Sequence, residues 1–360
     1  MTRPTRMRVD LSALRHNYLY ARQRHGGRAL AVLKANAYGH GALRCAQALQ
    51  SLVDGFAVAF VQEALALRHA GIAAPILVLE GVFSPEELLV CANERLWVVV
   101  HHERQLTWLE QAPRGHGPWQ VWLKVDSGMH RLGLHPNDVG AALDRLRLSK
   151  RVSDIVLMSH LARADEPHAD QTPTQLNAFR SLLAHHPLPS SLCNSAGILG
   201  WPEAYGQWAR PGLMLYGISP CETPQAPLVP VMQLCSEVFA ERWVGPGASV
   251  GYAGACITSR RTRIGMVATG YADGYPRSVR EGTQVCVAGQ LAPVLGRPSM
   301  DMLAIDMTDL GDCTDGGSVI GCPVELWGTS MPVSTVARQA GTNAYELLCG
   351  VSRVPVEYHA

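Results

Sequence analysis

Lysine is nearly missing from this chain. Of its 31 basic residues only three are lysine, Lys34, Lys124 and Lys150, and the rest are arginine. Arginine stays protonated at any ordinary pH, whereas a desolvated lysine amine can shed its proton and act as nucleophile or base. Each remaining lysine is therefore a candidate for work that arginine cannot do. A basic patch with interleaved aromatics is also missing, and the formal net charge is only +1, so neither nucleic acid nor a membrane surface is an expected partner. No apolar run reaches the length of a membrane span, and the opening stretch MTRPTRMRVDLSALRHN lacks the apolar core of a secretory signal. The ten cysteines show no C-x-x-C and no metal-like spacing. They are expected mostly as small core residues in a reducing, cytoplasmic setting, with no bound metal.

What is present points to a large soluble fold. Hydrophobic residues make up 47% of the 360 positions, enough for a sizeable core in two domains or one large one. From about residue 29, short β-rich apolar runs alternate with stretches of helical spacing. The runs 30–33, 55–59, 75–79, 96–100, 120–125, 154–159 and 191–194 are predicted strands, with an eighth near 213–216. Segments 41–52, 62–70, 85–92, 136–146 and 174–185 are predicted helices. Such alternation predicts an α/β protein with an N-terminal (β/α)8 TIM barrel, a doubly wound sheet being the alternative. The character changes near residue 225, where Pro220, Pro224, Pro227 and Pro230 cluster. Beyond them, GPGAS (245–249), AGQ (288–290) and DGG (315–317) punctuate short strands and predict a mainly-β C-terminal domain. One late helix is expected, capped by Asn343 with Glu346 three residues on, as in a capping box. The expected division is 8–225 and 226–360, with residues 1–10 a candidate addition to the β domain.

In a parallel barrel, reactive groups collect at the carboxyl ends of the strands. Lys34 closes the apolar run 31–33, and Lys124 closes 121–123. His160 follows 155–159, and Asn194-Ser195 follows 191–193. Each alone has a structural explanation, and a histidine after a strand is more often a simple hydrogen bonder. Their convergence on one face is the signal. Lys150, between a predicted helix and strand, reads as a solvated loop charge.

The stretch AVLKANAYGHG (31–41) resembles the cofactor-lysine motif of alanine racemases, pyridoxal-phosphate enzymes of the barrel type. The resemblance continues through WLKVDSGMHRLG (122–133), MSHLARADEP (158–167), NSAGIL (194–199) and ARPGLMLYG (209–217). VGYAG (250–254), GYADGYPR (270–277), GRPSMDM (296–302) and TNAYELL (342–348) extend it over essentially the whole chain, in order.

The resemblance implies a role for each matching residue. Lys34 holds pyridoxal phosphate as a Schiff base. Tyr38, Ser195, Tyr345 and the backbone around Gly212 and Leu213 contact its phosphate. Arg210 faces the pyridine nitrogen, where a guanidinium donates but does not surrender a proton, leaving the ring a weaker electron sink. Racemisation takes a proton from one face of Cα and returns it on the other, so two acid–base groups must flank that carbon. They are Lys34 and Tyr252, the latter reaching in from the partner subunit of a homodimer with shared active sites. A phenol with an ordinary pKa near ~10 needs cationic neighbours to act as a base, and His160 and Arg131 are the candidates. Lys124 matches a lysine that is carbamylated in some relatives, which turns a cation into an anion that holds Arg131. Arg131, Met300 and Asp301 bind the substrate carboxylate, the last two from the partner subunit. The implied activity is interconversion of L- and D-alanine, either to supply peptidoglycan or to catabolise alanine. A broader-specificity racemase, a non-racemising pyridoxal-phosphate barrel protein and a barrel-type decarboxylase are the alternatives. The β domain with Tyr252 argues against the second, and Arg210 with Tyr252 against the third.

Overall fold

The computed structural model describes residues 3–221, 226–311 and 317–360. Pro224, the expected boundary at Gln225, and Asp315 and Gly316 of the DGG turn lie outside those residues. Packing divides the chain into two units. One holds 14–37 and 41–228; the other holds 1–13, 38–40 and 229–360. The first strand, β1 (Arg6–Asp10), belongs to the second unit. The helix Leu11–His25 follows it, opened by Asp10, whose Oδ1 accepts from the amides of Ser12 at 2.8 Å and Ala13 at 2.9 Å.

The larger unit is a closed barrel of eight parallel strands. They are β2 (Arg28–Val32), β3 (Gly55–Val58), β4 (Ile76–Val78), β5 (Trp97–Val100), β6 (Trp119–Lys124), β7 (Val152–Met158), β8 (Ser190–Ser191) and β9 (Trp208–Ala209). Pairing of Arg28 with Trp208 and of Ala29 with Ala209 closes the ring. Strands buried on both faces read as unbroken apolar runs, and β3 and β4 are buried at every residue. Three tryptophans fill the barrel interior. Trp122 lies 6.2 Å from Trp97 and 5.4 Å from Trp208, ring centre to ring centre. The predicted eighth strand is misplaced. Residues Leu213–Tyr216 form a tight helical turn instead, buried throughout, and the strand lies just before it at Trp208–Ala209. The run LMLY is apolar enough to mimic a strand, but Pro211 has no N–H for a ladder, and the chain turns at Gly212. Tyr216 then donates its hydroxyl to the Val32 carbonyl at 2.8 Å, pinning the turn to β2. The helix Glu103–Gln111 escapes the sequence pattern because its buried face is only Gln105, Leu106 and Leu109, and its cap is His102 rather than a short hydroxyl or carboxylate residue.

The smaller unit is an eight-stranded sheet. Its further strands are β10 (Met232–Val244), β13 (Thr262–Val267), β14 (Gln284–Val287), β15 (Gln290–Leu295), β16 (Leu303–Asp306), β17 (Pro323–Trp327) and β18 (Val356–His359), with β11 (Ser249–Val250) and β12 (Cys256–Ile257) as a separate small ribbon. The order is β13-β16-β15-β14-β17-β10-β1-β18, and the long β10 also pairs with β13. The AGQ signal is a two-residue hairpin loop, with Ala288 and Gly289 at φ 46° and 86° as a twist-matched turn requires. Two late helices are present rather than one, Val333–Ala340 and Ala344–Gly350. The first turns Val333, Val336, Ala337 and Ala340 inward and ends on a left-handed Gly341. The second is capped by Asn343, whose side chain accepts from the Glu346 amide at 3.0 Å. The Glu346 carboxylate takes the Thr342 hydroxyl, so the box is only half closed.

Among the described residues eight cysteines are outside any disulfide, five of them buried, while Cys322 is disulfide-bonded. No helix of the described residues is long and apolar enough to cross a membrane. Trp122→Ala empties the centre of the barrel and should lower unfolding free energy by about 3–5 kcal/mol in a denaturant titration. A loss under about 1 kcal/mol would mean that the tryptophan cluster does not support closure.

Candidate active site

The carboxyl end of β2 delivers Lys34 into an unusual piece of backbone. Ala35, Asn36 and Ala37 sit at φ/ψ of 51/51°, 54/44° and 56/49°, and Tyr38 follows at φ 51°. These are four consecutive side-chain-bearing residues in left-handed helical conformation, at a cost of roughly 1–2 kcal/mol each. The sequence keeps that cost low with two alanines and an asparagine, the residue other than glycine that best tolerates this region. Backbone bonds close the turn, from Ala37 to the Leu33 carbonyl at 2.8 Å and from Gly41 to the Asn36 carbonyl at 2.9 Å. The Asn36 side chain then accepts from Ala42 at 2.9 Å and starts the helix Ala42–Leu49. Lys34 itself is half-buried at the strand end.

Other strand ends of the same barrel add further groups. Lys124 is the last residue of β6 and is 6% exposed. Burial lowers its amine to about 8; Arg210, Arg131 and Lys34 push the same way, and the Glu80 carboxylate, just past β4, pushes back. His160 follows β7. Burial, then the charges of Arg210, Arg131, Lys124 and Lys34, hold its imidazole well below the usual range. His160 is therefore neutral near pH 7, a hydrogen-bonding group and not the cation expected beside a catalytic phenol.

Arg210 follows β9 and is 4% exposed. Its guanidinium donates to the Ser191 hydroxyl, to the Ser159 carbonyl at 2.6 Å and to the Leu192 carbonyl at 3.4 Å. Among the described residues no carboxylate acts on it, and burial lowers its pKa to about 10, so it stays charged at neutral pH. A buried cation with only neutral acceptors is costly unless something electron-rich is brought to it. Ser195, after β8, is a hub of hydrogen bonds. Its Oγ accepts from Gly212 at 3.0 Å and from Met214 at 3.2 Å, which leaves its own proton free to be donated. The Gly212 amide, expected as a phosphate donor, is thus engaged by Ser195, while Leu213 opens the turn that follows.

A second layer that the sequence reading missed supports these groups. Gln175, fully buried, accepts from Ala162 at 2.9 Å and donates to the His160 carbonyl at 2.8 Å and the Ser127 hydroxyl at 3.2 Å. Ser127 in turn meets Ser159 at 2.7 Å. Arg131 is exposed, on a loop wound around Asp126, whose Oδ1 accepts from Gly128, Met129 and His130 at 3.0–3.1 Å. The D-S-G sequence carries that turn signal in plain form.

The β unit carries the remaining expected residues. Tyr38 and Tyr345 pack with ring centres 5.6 Å apart, and burial raises the Tyr38 phenol. GYADGY docks on PSMDM through Tyr271 to the Ser299 carbonyl and Ala272 to the Met300 carbonyl, both at 3.0 Å. A side chain at Gly270 would lie 2.3 Å from those carbonyl oxygens, so only glycine fits there. Asp301 is held by Arg353 at 2.8 Å. Tyr252 and Met300 are 66% and 51% exposed. Lys150 is exposed at a left-handed helix end and joins no site.

On the barrel face, then, two amines, one of lowered pKa, two guanidiniums and an imidazole act on one another with one carboxylate among them, a charge set suited to an anionic ligand. The family model described as "Alanine racemase, N-terminal domain" matches residues 9–220, and "Alanine racemase, C-terminal domain" matches 231–358. A relative from Pseudomonas putida named a catabolic alanine racemase is 52% identical over 359 residues, covering 99% of each chain. The crystal structure of the biosynthetic alanine racemase from Pseudomonas aeruginosa covers 100% of both chains with a TM-score of 0.94 at 44% identity. That of alanine racemase from Bartonella henselae with covalently bound pyridoxal phosphate gives 0.89 at 29% identity, covering 99% of this chain and 100% of its own. The chain belongs to the alanine racemase family.

Proposed function

We propose that this protein interconverts L- and D-alanine with pyridoxal phosphate, using two acid–base groups at a site completed by a second copy of the chain. The observation that carries the reading is the cationic cluster at the barrel mouth, where Arg210 is buried with neutral acceptors only. Its donor set fits the cofactor group by group. The Lys34 amine suits covalent attachment. The Ser195 hydroxyl suits a phosphate, a role that the family's motifs also give to the backbone at Gly212 and Leu213 and to Tyr38 and Tyr345. Arg210 suits the ring nitrogen, and neutral His160 suits the rim of the ring. When bound, the cofactor supplies the electron-withdrawing ring that makes the Cα–H of an attached amino acid acidic. Arg210 keeps that withdrawal moderate, because a guanidinium still charged at neutral pH does not hand its proton to the ring nitrogen.

Lys34 Nζ, once displaced from the cofactor by the substrate's amine, would take or give the proton on one face of Cα. The hydroxyl of Tyr252 of the partner subunit would do so on the other. Arg131 and the partner's Met300 and Asp301 orient the substrate carboxylate. Support for the second copy comes from the lone chain, which leaves Tyr252 and Met300 66% and 51% exposed. A phenol that exchanges protons with a carbon acid works in a site closed to bulk water. Supply of D-alanine and its breakdown use the same site.

Lys124 we read as carbamylated. Its amine, lowered by burial to about 8, is partly neutral near pH 7 and so able to add carbon dioxide. The resulting anion lies under the influence of Arg131 and Arg210, the two arginines that oppose its cationic form. Isotopically labelled bicarbonate should give a protein-bound carbamate resonance that Lys124→Arg abolishes; no such signal in the wild-type protein removes the modification. The sign of the stability change offers a second check. A free amine depressed in the folded state destabilises the fold increasingly as pH falls below its ordinary 10.5 and fully below about pH 8, so Lys124→Met would then raise Tm at pH 7. A carbamate paired with arginines predicts the opposite, a lower Tm.

Racemisation itself is tested by incubating the protein with L-alanine in deuterated water. Cα deuteration and loss of optical rotation should proceed together. Deuterium uptake with rotation retained would mean exchange on one face only and would refute the two-base reading. The shared site is tested by mixing Lys34→Ala with Tyr252→Ala, each inactive alone. Random subunit exchange leaves one intact site in each hybrid and should restore about a quarter of wild-type activity. No recovery after demonstrated exchange would place both groups in one subunit.

A further inference from the structure

The left-handed turn after Lys34 needs anchoring, because Ala35, Asn36, Ala37 and Tyr38 hold a conformation that only glycine adopts without strain. Asn36 ties its far end to the next helix. Its near end is tied by Glu63, a half-buried residue in the first turn of the helix Val61–His69. Glu63 Oε1 accepts from the Ala35 amide at 2.7 Å, and Oε2 accepts from Ala59 at 2.7 Å and Phe60 at 3.2 Å. One carboxylate thus joins the residue next to Lys34 to the chain leaving β3.

We propose that Glu63 is a positioning residue for Lys34, holding the left-handed turn so that the amine stays fixed at the strand end; the proposal rests on Lys34 being the cofactor lysine. An ordinary helix cap would need only the bond to Phe60. The bond to Ala35 reaches 28 residues back along the chain and captures an amide whose residue is otherwise exposed. Both oxygens are engaged as acceptors, which an ionised carboxylate allows and an amide does not. Glutamine in this place would turn an NH2 group toward either Ala35 or the Ala59–Phe60 pair. The turn would then lose its anchor at one end, and Lys34 would sample positions from which it neither reaches the cofactor carbon nor meets Cα in line.

The test compares wild type with Glu63→Gln for capture of pyridoxal phosphate by apoprotein, followed by borohydride trapping and mass spectrometry of the Lys34 peptide. Capture should slow about 10- to 100-fold, and kcat should fall similarly while KM for alanine changes less than about threefold. Adding Ala35→Gly, which removes the left-handed strain at the tied residue, should recover part of the capture rate. Wild-type capture by Glu63→Gln, or a loss that Ala35→Gly leaves untouched, overturns the proposal. A measurement on the unaltered protein stands independently of how the variants fold. The Ala35 amide should exchange slowly with deuterated water despite its exposed side chain, and free exchange there overturns the clamp. Failure of the wild-type protein to capture cofactor would count against Lys34 and not against the clamp, on which the Ala35 exchange rate reports by itself.

Discussion

A positive charge shut inside a protein without a negative partner is hard to keep, and among the described residues the mouth of this barrel keeps one in Arg210. Much of the site follows from accommodating it. The guanidinium is held by a serine hydroxyl and two carbonyls. Those acceptors come from the ends of neighbouring strands, so the charge can exist only where a closed ring brings those ends together. Burial, helped by the same crowding of cations, keeps His160 neutral and loosens the proton on Lys124. Burial and neighbouring charge thereby set the protonation states of three side chains together.

Backbone geometry answers the electrostatics. Lys34 is carried by a regular strand and then by a run of left-handed residues, so its attachment is stiff on one side and strained on the other. Strain of that kind persists only where neighbours overdetermine it. Here they do so through Leu33, Asn36, Gly41 and the carboxylate of Glu63. Across the barrel, Ser195 gathers the amides of Gly212 and Met214, and Gln175 with Ser127 and Ser159 fixes the strand ends beneath His160. Few of these supporting groups touch a ligand, yet they decide where the reactive ones stand.

The periodic parts of this architecture were legible from residues alone. Six barrel strands, β2 to β7, coincide with apolar runs because parallel strands buried on both faces leave that mark, whereas β8, Ser190–Ser191, meets its predicted run 191–194 at one residue only. The last strand, β9, did not coincide, since two residues, Trp208 and Ala209, are too short to register beside the louder apolar turn at Leu213–Tyr216. The helix Val333–Ala340 went unnoticed because a proline precedes it where a hydroxyl or carboxylate cap is sought. Within the site, lysine scarcity and strand-end placement pointed to Lys34, Lys124, His160 and Ser195 before any resemblance was considered. Arg210, Tyr252 and Tyr345 stood out only through the family's motifs. Glu63 and Gln175 were invisible, because a glutamate early in a helix and a glutamine within one are ordinary, and only tertiary contact distinguishes them. The neutral state of His160 was likewise a property of burial, which no local pattern encodes.

The shortage of lysines also has a practical side. Lys124 is sealed within the barrel and Lys34 is half-buried, which leaves Lys150, at the exposed end of a helix, as the one side-chain amine fully open to solvent. Reagents that couple to primary amines will therefore find a nearly single-address molecule. Tethering through Lys150 would place the anchor on a residue that belongs to no site.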